Sequence, residues 1–561
     1  MGYSHSMKIE VKNEICKKCQ VNFEITSDDF SFYEKMSVPA PKECPLCRQQ
    51  RRMLFRNFKT LYKIPSALSG KMMISMYAEN TPYKIYTRDE WWSDDFDALA
   101  YGRDFDFSCP FFEQFAELLL DVPKFSLMST QCSDCDYANF AIGSKNCYLI
   151  FGAVEDEDCA YGHIVWESKD SVDNLYLYKS DLCYECTDCI GSYKLLYCQE
   201  SENCASSIGL FDCRGCTDCI GCVGLNQKSN YIFNQQVSKE EYKKFLEDHP
   251  LTDLENIEFI LSEREKLRKS LPQRSFFGSH NIDVSGNHVY NAHNVHYSFD
   301  VKGGENSKFV FTSRKSIDCY DIGFSPDLEA SYYALTCVNG NNIRFSHLCN
   351  NSTYADYSDA CFNMHNIFGC AGLKGGEYMI LNKQYSKEEY FALKEKIIEH
   401  MKKTGEWGDF FSADLSPFCY NESIAGEYMP LSKEKALAQG FRWKDDLPGT
   451  FGQETIKTEN LPKDPNDFSN DLTKEVLKCA QCNKNYKLVD KEISFYKKIG
   501  LPIPQKCFNC RHASRMQKRN PRTLWSCMCA NCGNEIKTSY PPEKQSEYKI
   551  YCESCYQQEM L

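Results

Sequence analysis

The sequence contains no uninterrupted apolar run approaching the ~18 residues that a membrane span needs, so no transmembrane segment is expected. The opening MGYSHSMKIEVKNEICKKC lacks the apolar core of a secretory signal. There is no Gly-rich phosphate loop, no HExxH and no nucleophile elbow, and the 11 histidines are scattered. Positive charge is also short. The net charge of −13 argues against wholesale wrapping of nucleic acid and leaves only local basic patches. These gaps lead away from secretion, from membranes and from the familiar catalytic motifs.

What the chain has in quantity is cysteine, 33 in 561 residues. Dense cysteine means either a secreted disulfide framework or a reduced metal-holding protein. The odd count, the length and the many CxxC pairs favour the second, and a cytoplasmic location is expected. Aromatic residues at 14% argue against disorder.

The chain is built from duplications. ICKKC through SFYEKMSVPAPKECPLCR returns without gaps as LKCAQC through SFYKKIGLPIPQKCFNCR, Cys479 lying 463 residues after Cys16. GCVGLNQKSNYIFNQQVSKEEY (221–242) resembles GCAGLKGGEYMILNKQYSKEEY (369–390), 148 residues on. This places Cys189, Cys213 and Cys222 on Cys337, Cys361 and Cys370, but Cys183, Cys186 and Cys204 on Ser331, Ala334 and Ser352. Within the first half, CYECTDCIG recurs 30 residues later as CRGCTDCIG, and Asp158, Asp173, Asp188, Asn203 and Asp218 fall every 15 residues. A short period rich in Tyr, Ile, Cys, Asp and Asn predicts a β-solenoid whose rungs stack into one core. Serial cysteine knuckles are the competing architecture.

The expected fold is therefore mainly β: a duplicated, cysteine-rich, solenoid-like core between treble-clef zinc ribbons, with short capping helices. Along the chain this reads as a zinc ribbon plus a metal-free ribbon-like hairpin (1–90), an aromatic-acidic connector (91–130), solenoid half 1 (131–237) and a helical segment (238–275). Solenoid half 2 (276–385), a helix (386–404), a connector (405–475) and two zinc ribbons (476–561) follow. SKEEY at 238–242 and 386–390 has capping-box spacing, so a helix should begin at each and cover a solenoid end.

Three sets of four cysteines have the pattern of closed tetrahedral sites: Cys16, Cys19, Cys44, Cys47; Cys479, Cys482, Cys507, Cys510; and Cys529, Cys532, Cys552, Cys555. Four thiolates leave no open position for water, so about three structural Zn²⁺ sites are expected. Cys527 is read as a packing residue. The cysteines of 183–222 could pack as a ladder, hold further zinc or hold an iron–sulfur cluster; the Ser and Ala substitutions in the second half favour packing. Aligning Arg56-Asn57 with Arg519-Asn520, with a two-residue gap before Tyr83, sets Ser66, Ser69, Thr87 and Glu90 where Cys529, Cys532, Cys552 and Cys555 sit, so 61–92 should keep the hairpin without the metal.

Residues 44–63 carry six basic residues and no acid. Arg48, Arg52 and Arg56, with their duplicates Arg511, Arg515 and Arg519, are the candidate nucleic-acid contacts. The competing role for these arginines is pairing with the protein's own carboxylates or with a second subunit. WWSDDFDALAYGRDFDFSCPFFEQF (91–115) is expected to form core, and His347, His365, Asp356 and Asp359 to be satisfied surface residues.

The ribbon SFYEKMSVPAPKECPLCRQQRR, the WWSDDFD block and SPFCYNESIAGEYMPL together resemble cysteine-rich zinc-ribbon proteins of uncultivated bacteria. The resemblance covers most of the chain, implies zinc at the matching cysteines and brings no activity. The expected function is a non-catalytic, zinc-stabilised scaffold or adaptor that binds a macromolecule or assembles with copies of itself. A protein binding RNA, DNA or the ribosome through its basic ribbon helices, and a β-solenoid enzyme with an unrecognised carboxylate site, are the alternatives. No catalytic residue is nominated.

Overall fold

A computed structural model describes residues 11–560 except 339, 342–343 and 345–346. The side chains at 326, 336–338, 340–341 and 347–349 are also outside the described residues. The first ten residues of the expected N-terminal domain and the Cys337 and His347 side chains therefore fall outside them. Strand accounts for 31% of the chain and helix for 27%, so the two are more evenly mixed than expected.

The chain forms two compact units, and neither is continuous in sequence. Unit 1 comprises Met1–Asn57, Tyr62–Ser126 and Phe277–Asp445; unit 2 comprises Phe58–Leu61, Leu127–Phe276 and Asp446–Leu561. Each unit thus joins a cysteine module from one end of the chain to a repeat array from the middle.

In unit 2 the array runs through short parallel strands, His163–Trp166, Leu175–Tyr178, Thr187–Ile190, Tyr193–Leu196, Ala205–Ile208, Thr217–Ile220 and Ser229–Ile232. The register is constant: each residue faces the one twelve positions on, as in His163–Leu175–Thr187 and Tyr193–Ala205–Thr217–Ser229. Isolated bridges continue it back to Ser133–Lys145. Every third residue from Gln131 to Phe233 has φ near +55°, which turns the chain at each step. Asp, Asn and Gly hold many of these corners because they tolerate left-handed backbone best.

The expected 15-residue period is corrected to 12. Asp158, Asp173, Asp188, Asn203 and Asp218 do all occupy left-handed corners. Fifteen and twelve are both multiples of three, so either spacing keeps the corner phase, and only hydrogen bonding between coils selects the register.

The residue after each corner points inward, where a twelve-residue coil has little room. Cys183, Cys186, Cys189, Cys198, Cys204, Cys213, Cys216, Cys219 and Cys222 are all buried there. Their thiols bond to the carbonyl two residues back, Cys186 to Tyr184 at 3.4 Å and Cys213 to Phe211 at 3.5 Å. Serine does the same work. Ser180 Oγ accepts the Ser192 N–H, Ser192 Oγ the Cys204 N–H, and Cys204 Sγ the Cys216 N–H, at 3.0–3.4 Å. This interchangeability explains why the second array can carry serine at Ser331 and Ser352.

The array of unit 1 repeats the twelve-residue register from Phe299–Phe311–Gly323 to Met364–Gly376. Each array ends in a capped helix, Lys239–Asp248 with Ser238 and Glu241, and Lys387–Thr404 with Ser386 and Glu389. Leu254–Ser270 forms the further helix expected in that region. The 91–115 stretch joins the core at selected positions only: Trp91, Phe111 and Phe115 are fully buried, and Trp91 donates to the Pro123 carbonyl at 2.9 Å, whereas Trp92, Leu99 and Phe107 stay exposed. Within 405–475, Ile424 N–H donates to the Arg56 carbonyl and Ser416 Oγ to the Leu54 carbonyl, so this segment clasps the helix Pro45–Met53.

Candidate metal centres

The N-terminal module places its first two cysteines on a turn after the strand Val11–Ile15. Cys16 N–H donates to the Val21 carbonyl, Gln20 N–H returns to Cys16 O, and Gln20 takes φ 60° to close the turn. The second pair opens the helix Pro45–Met53, with Cys44 as its N-cap. The C-terminal module repeats this with Cys479, Asn483 at φ 62°, and Cys507 capping Phe508–Lys518. In the terminal hairpin the turn is Cys529–Gly533; Cys552 immediately precedes the helix Glu553–Met560 and Cys555 lies in its first turn.

Each set brings four sulfurs within 4.8 Å of one another. Cys19–Cys44 and Cys482–Cys507 are 3.7 Å apart and Cys532–Cys552 3.8 Å. All these cysteines are free thiols, and a disulfide would bring the sulfurs to ~2.05 Å. Four sulfurs bound tetrahedrally at ~2.3 Å lie ~3.8 Å apart, so the donor sets suit a tetrahedral metal.

Backbone N–H groups favour the thiolate at one cysteine of each C-terminal set, Cys479 and Cys529. Burial opposes ionisation of Cys479, but the N–H groups of Cys507, Cys482 and Gln481 bring its pKa down to about 6. In the same way burial is outweighed at Cys529 by the N–H groups of Cys532, Cys552 and Asn531, again to about 6. Cys552 N–H lies 3.3 Å from Cys529 Sγ. Cys527, on the strand Trp525–Met528, is half-buried and outside the tetrad. The cysteines of 183–222 join none of these sets.

The hairpin at Tyr62–Pro65 and Met72–Ser75 matches the terminal pair Trp525–Met528 and Glu535–Thr538 almost bond for bond. Ser66 N–H donates to Lys71 O at 2.9 Å, as Cys529 does to Asn534 O at 2.8 Å. Ala67 N–H donates to Ile85 O at 2.8 Å, as Ala530 does to Ile550 O at 2.9 Å. Gly70 and Gly533 both take φ just above 70°. Where the metal would sit, the Glu90 carboxylate accepts from Ser66 Oγ at 2.5 Å and from Thr87 N–H at 2.8 Å. Burial opposes its ionisation, but bonds from Ser66, Ser69 and Thr87 lower its pKa to about 2. A side-chain anion thus ties together the two turns that four cysteines tie in the other copy.

The six candidate phosphate-binding arginines lie inside the units. In unit 1 Arg48 and Arg52 converge on Asp321, Arg48 through Nε at 3.0 Å and Arg52 through Nη1 at 2.9 Å, with all three side chains buried. Arg56 is buried over the Phe324 ring at 4.8 Å, and desolvation lowers its pKa to about 9. In unit 2 Arg511 and Arg515 converge on Asp173 at 2.9 and 3.0 Å. Arg511 also reaches Glu492 at 3.3 Å, Arg515 reaches Glu185 at 2.5 Å, and Arg519 pairs with Asp188 at 2.8 Å. Arg48, Arg52, Arg511, Arg515 and Arg519 thus pair with carboxylates of their own unit, and Arg56 packs on an aromatic ring, where contacts to nucleic acid were expected. The competing role of pairing with internal carboxylates matches what is found. Asp173 and Asp321 are duplicates of each other, 148 residues apart, and that spacing was the signal that could have identified the clamp from sequence.

Asp356 and Asp359 are buried rather than on the surface. Asp356 pairs with Arg344 at 3.0 Å and Lys394 at 2.6 Å, and Asp359 pairs with Lys124. His365 meets Thr353 Oγ1 at 2.7 Å. A cavity of about 10 Å³ beside Lys124 and Asp359 has room for about one water, too little for a substrate. No helix among the described residues is long and apolar enough to cross a membrane. Comparison with protein-family models, curated proteins and solved structures returned no match.

Proposed function

We propose that this protein is a non-catalytic scaffold stabilised by three structural zinc ions, acting in a reducing compartment such as the cytoplasm. The observation that carries the reading is the sulfur geometry: three closed sets of four cysteines with separations of 3.7–3.8 Å, the spacing of a tetrahedral thiolate site. A closed set of four supplies no position for a reacting water, so the metal's contribution when bound is to hold the turn and the helix start together. The cysteines hold it, the backbone N–H groups around Cys479 and Cys529 favour the thiolate form, and the arginine–aspartate clamps seat the modules on the arrays. We read the modules as treble clefs and the twelve-residue parallel arrays as β-solenoids, whose long faces would serve as the binding surface. Kinship with the cysteine-rich zinc-ribbon proteins of uncultivated bacteria belongs to the same proposal.

Elemental analysis of protein purified without added metal tests it. About three zinc per chain is the expected result. Five or more, or a brown iron–sulfur chromophore, would overturn the assignment of the array cysteines to packing. An absorbance peak at 260 nm that nuclease removes would favour a nucleic-acid partner instead.

A further inference from the structure

The two duplicated cysteine modules differ in what lies beside their hairpins. In unit 2 the pair Leu477–Lys478 and Asn485–Tyr486 receives a connector segment, residues 450–455, which meets its outer edge at Phe451 and then bends at Gly452, φ 66°, to reach Val476. Phe451 bridges antiparallel to Lys484, and Asn485 N–H donates to the Thr450 carbonyl at 2.8 Å. The Asn485 side chain accepts the Gln453 N–H at 3.1 Å and donates to Glu454 at 3.2 Å. Lys478 faces Glu454 at 3.8 Å, so a basic hairpin holds a segment that carries one carboxylate.

In unit 1 Asn22 stands where Asn485 stands, opposite Ile15 as Asn485 is opposite Lys478. Among the described residues this hairpin is two-stranded, with nothing paired to its outer side, and Asn22 is exposed. The two lysines are replaced by Ile15 and Val21, 63% and 59% exposed. An unpaired edge offers backbone donors and acceptors that a partner strand can complete, and flanking side chains choose the partner. Isoleucine and valine have no attraction for a carboxylate and gain by being covered.

We propose that the outer edge at Val21–Phe23 of the N-terminal module accepts a short apolar peptide segment from a partner protein, in the place that Thr450 and Phe451 occupy on the other module. The proposal rests on the scaffold reading and names one of its binding surfaces.

Fluorescence anisotropy on the full-length protein tests it with two labelled peptides, LPGTFGQETI, which is residues 447–456, and the same peptide carrying Glu454→Val. The valine peptide should bind at least about tenfold more tightly. Asn22→Pro, which removes the outward N–H, should abolish that binding, and Ile15→Lys with Val21→Lys should reverse the preference toward the glutamate peptide. Should Asn22→Pro disturb the fold, the double lysine variant carries the test. Metal analysis of the same samples reports on the scaffold reading separately: a full zinc complement without peptide binding would overturn only the edge proposal. Failure of both peptides to bind, indifference to the substitutions, or self-association through this edge would each overturn it.

Discussion

Unit 1 and unit 2 solve the same construction problem with different chemistry. In each, a helix that opens on two cysteines is seated on a parallel array by two arginines that share one buried aspartate. Unit 2 surrounds that aspartate with help, Glu492 for Arg511 and Glu185 for Arg515, while among the described residues of unit 1 Arg48 and Arg52 share the Asp321 carboxylate alone. The following hairpins diverge further. Unit 2 gathers four cysteines, and unit 1 gathers two serines, a threonine and a glutamate around the same turns. The difference teaches that the hairpin's frame is set by its backbone hydrogen bonds and apolar contacts, and that the crosslink at its centre can be a metal site or a hydrogen-bonded carboxylate.

Metal withdrawal should separate the two hairpins most sharply. Structural zinc contributes on the order of 10 kcal/mol to small folded sites. A strong chelator, or Cys529→Ser, should therefore abolish hydrogen-exchange protection across 525–556 and leave 62–92 protected. Equal loss in both hairpins would mean that Glu90 does not replace the metal. The clamps come next. Removing Asp321 leaves two buried guanidinium groups uncompensated, a cost of about 3–5 kcal/mol, read as a drop in the urea midpoint. Asp173→Ala should cost less, because Glu185 and Glu492 remain; the reverse order would show that the extra carboxylates contribute nothing.

The smallest effect belongs to Glu90. Its folded pKa of about 2 lies below the ordinary 4.5, so its stabilisation is complete above pH 4.5 and is lost as the pH falls toward 2. Glu90→Ala also removes half of the capping box on the helix Arg88–Trp92, costing about 1 kcal/mol at neutral pH. In that variant the stability of unit 1 should no longer fall between pH 4.5 and 2 through this group, which an acid titration followed by near-UV circular dichroism would reveal.

Much of this was legible beforehand because it rests on local spacing. CxxC pairs bring sulfurs together through one turn and one helix start, and the correspondence of Ser66 and Glu90 to Cys529 and Cys555 followed from the same repeat with one two-residue gap. The capped helices after Ser238 and Ser386 were legible for the same reason. The twelve-residue register was not. Triplet corners make 12 and 15 equivalent along the chain, and Asp158 to Asp218 advertised the wrong one. The arginines misled because basic, acid-free helices read alike whether their counter-charges are phosphates or aspartates more than 250 residues away.

The sequence by itself determined the three thiolate sets, the metal-free hairpin, the duplications and the helix starts, all of which depend on residues close in the chain or aligned by repeat. Only the tertiary structure decided that the module of one chain end serves the array of one repeat copy, and that Asp173 and Asp321 neutralise the basic helices. Burial is the physical reason. A guanidinium excluded from water must find its carboxylate wherever the fold brings one, and the chain marks that choice only indirectly, through the repeat that sets Asp321 148 residues after Asp173.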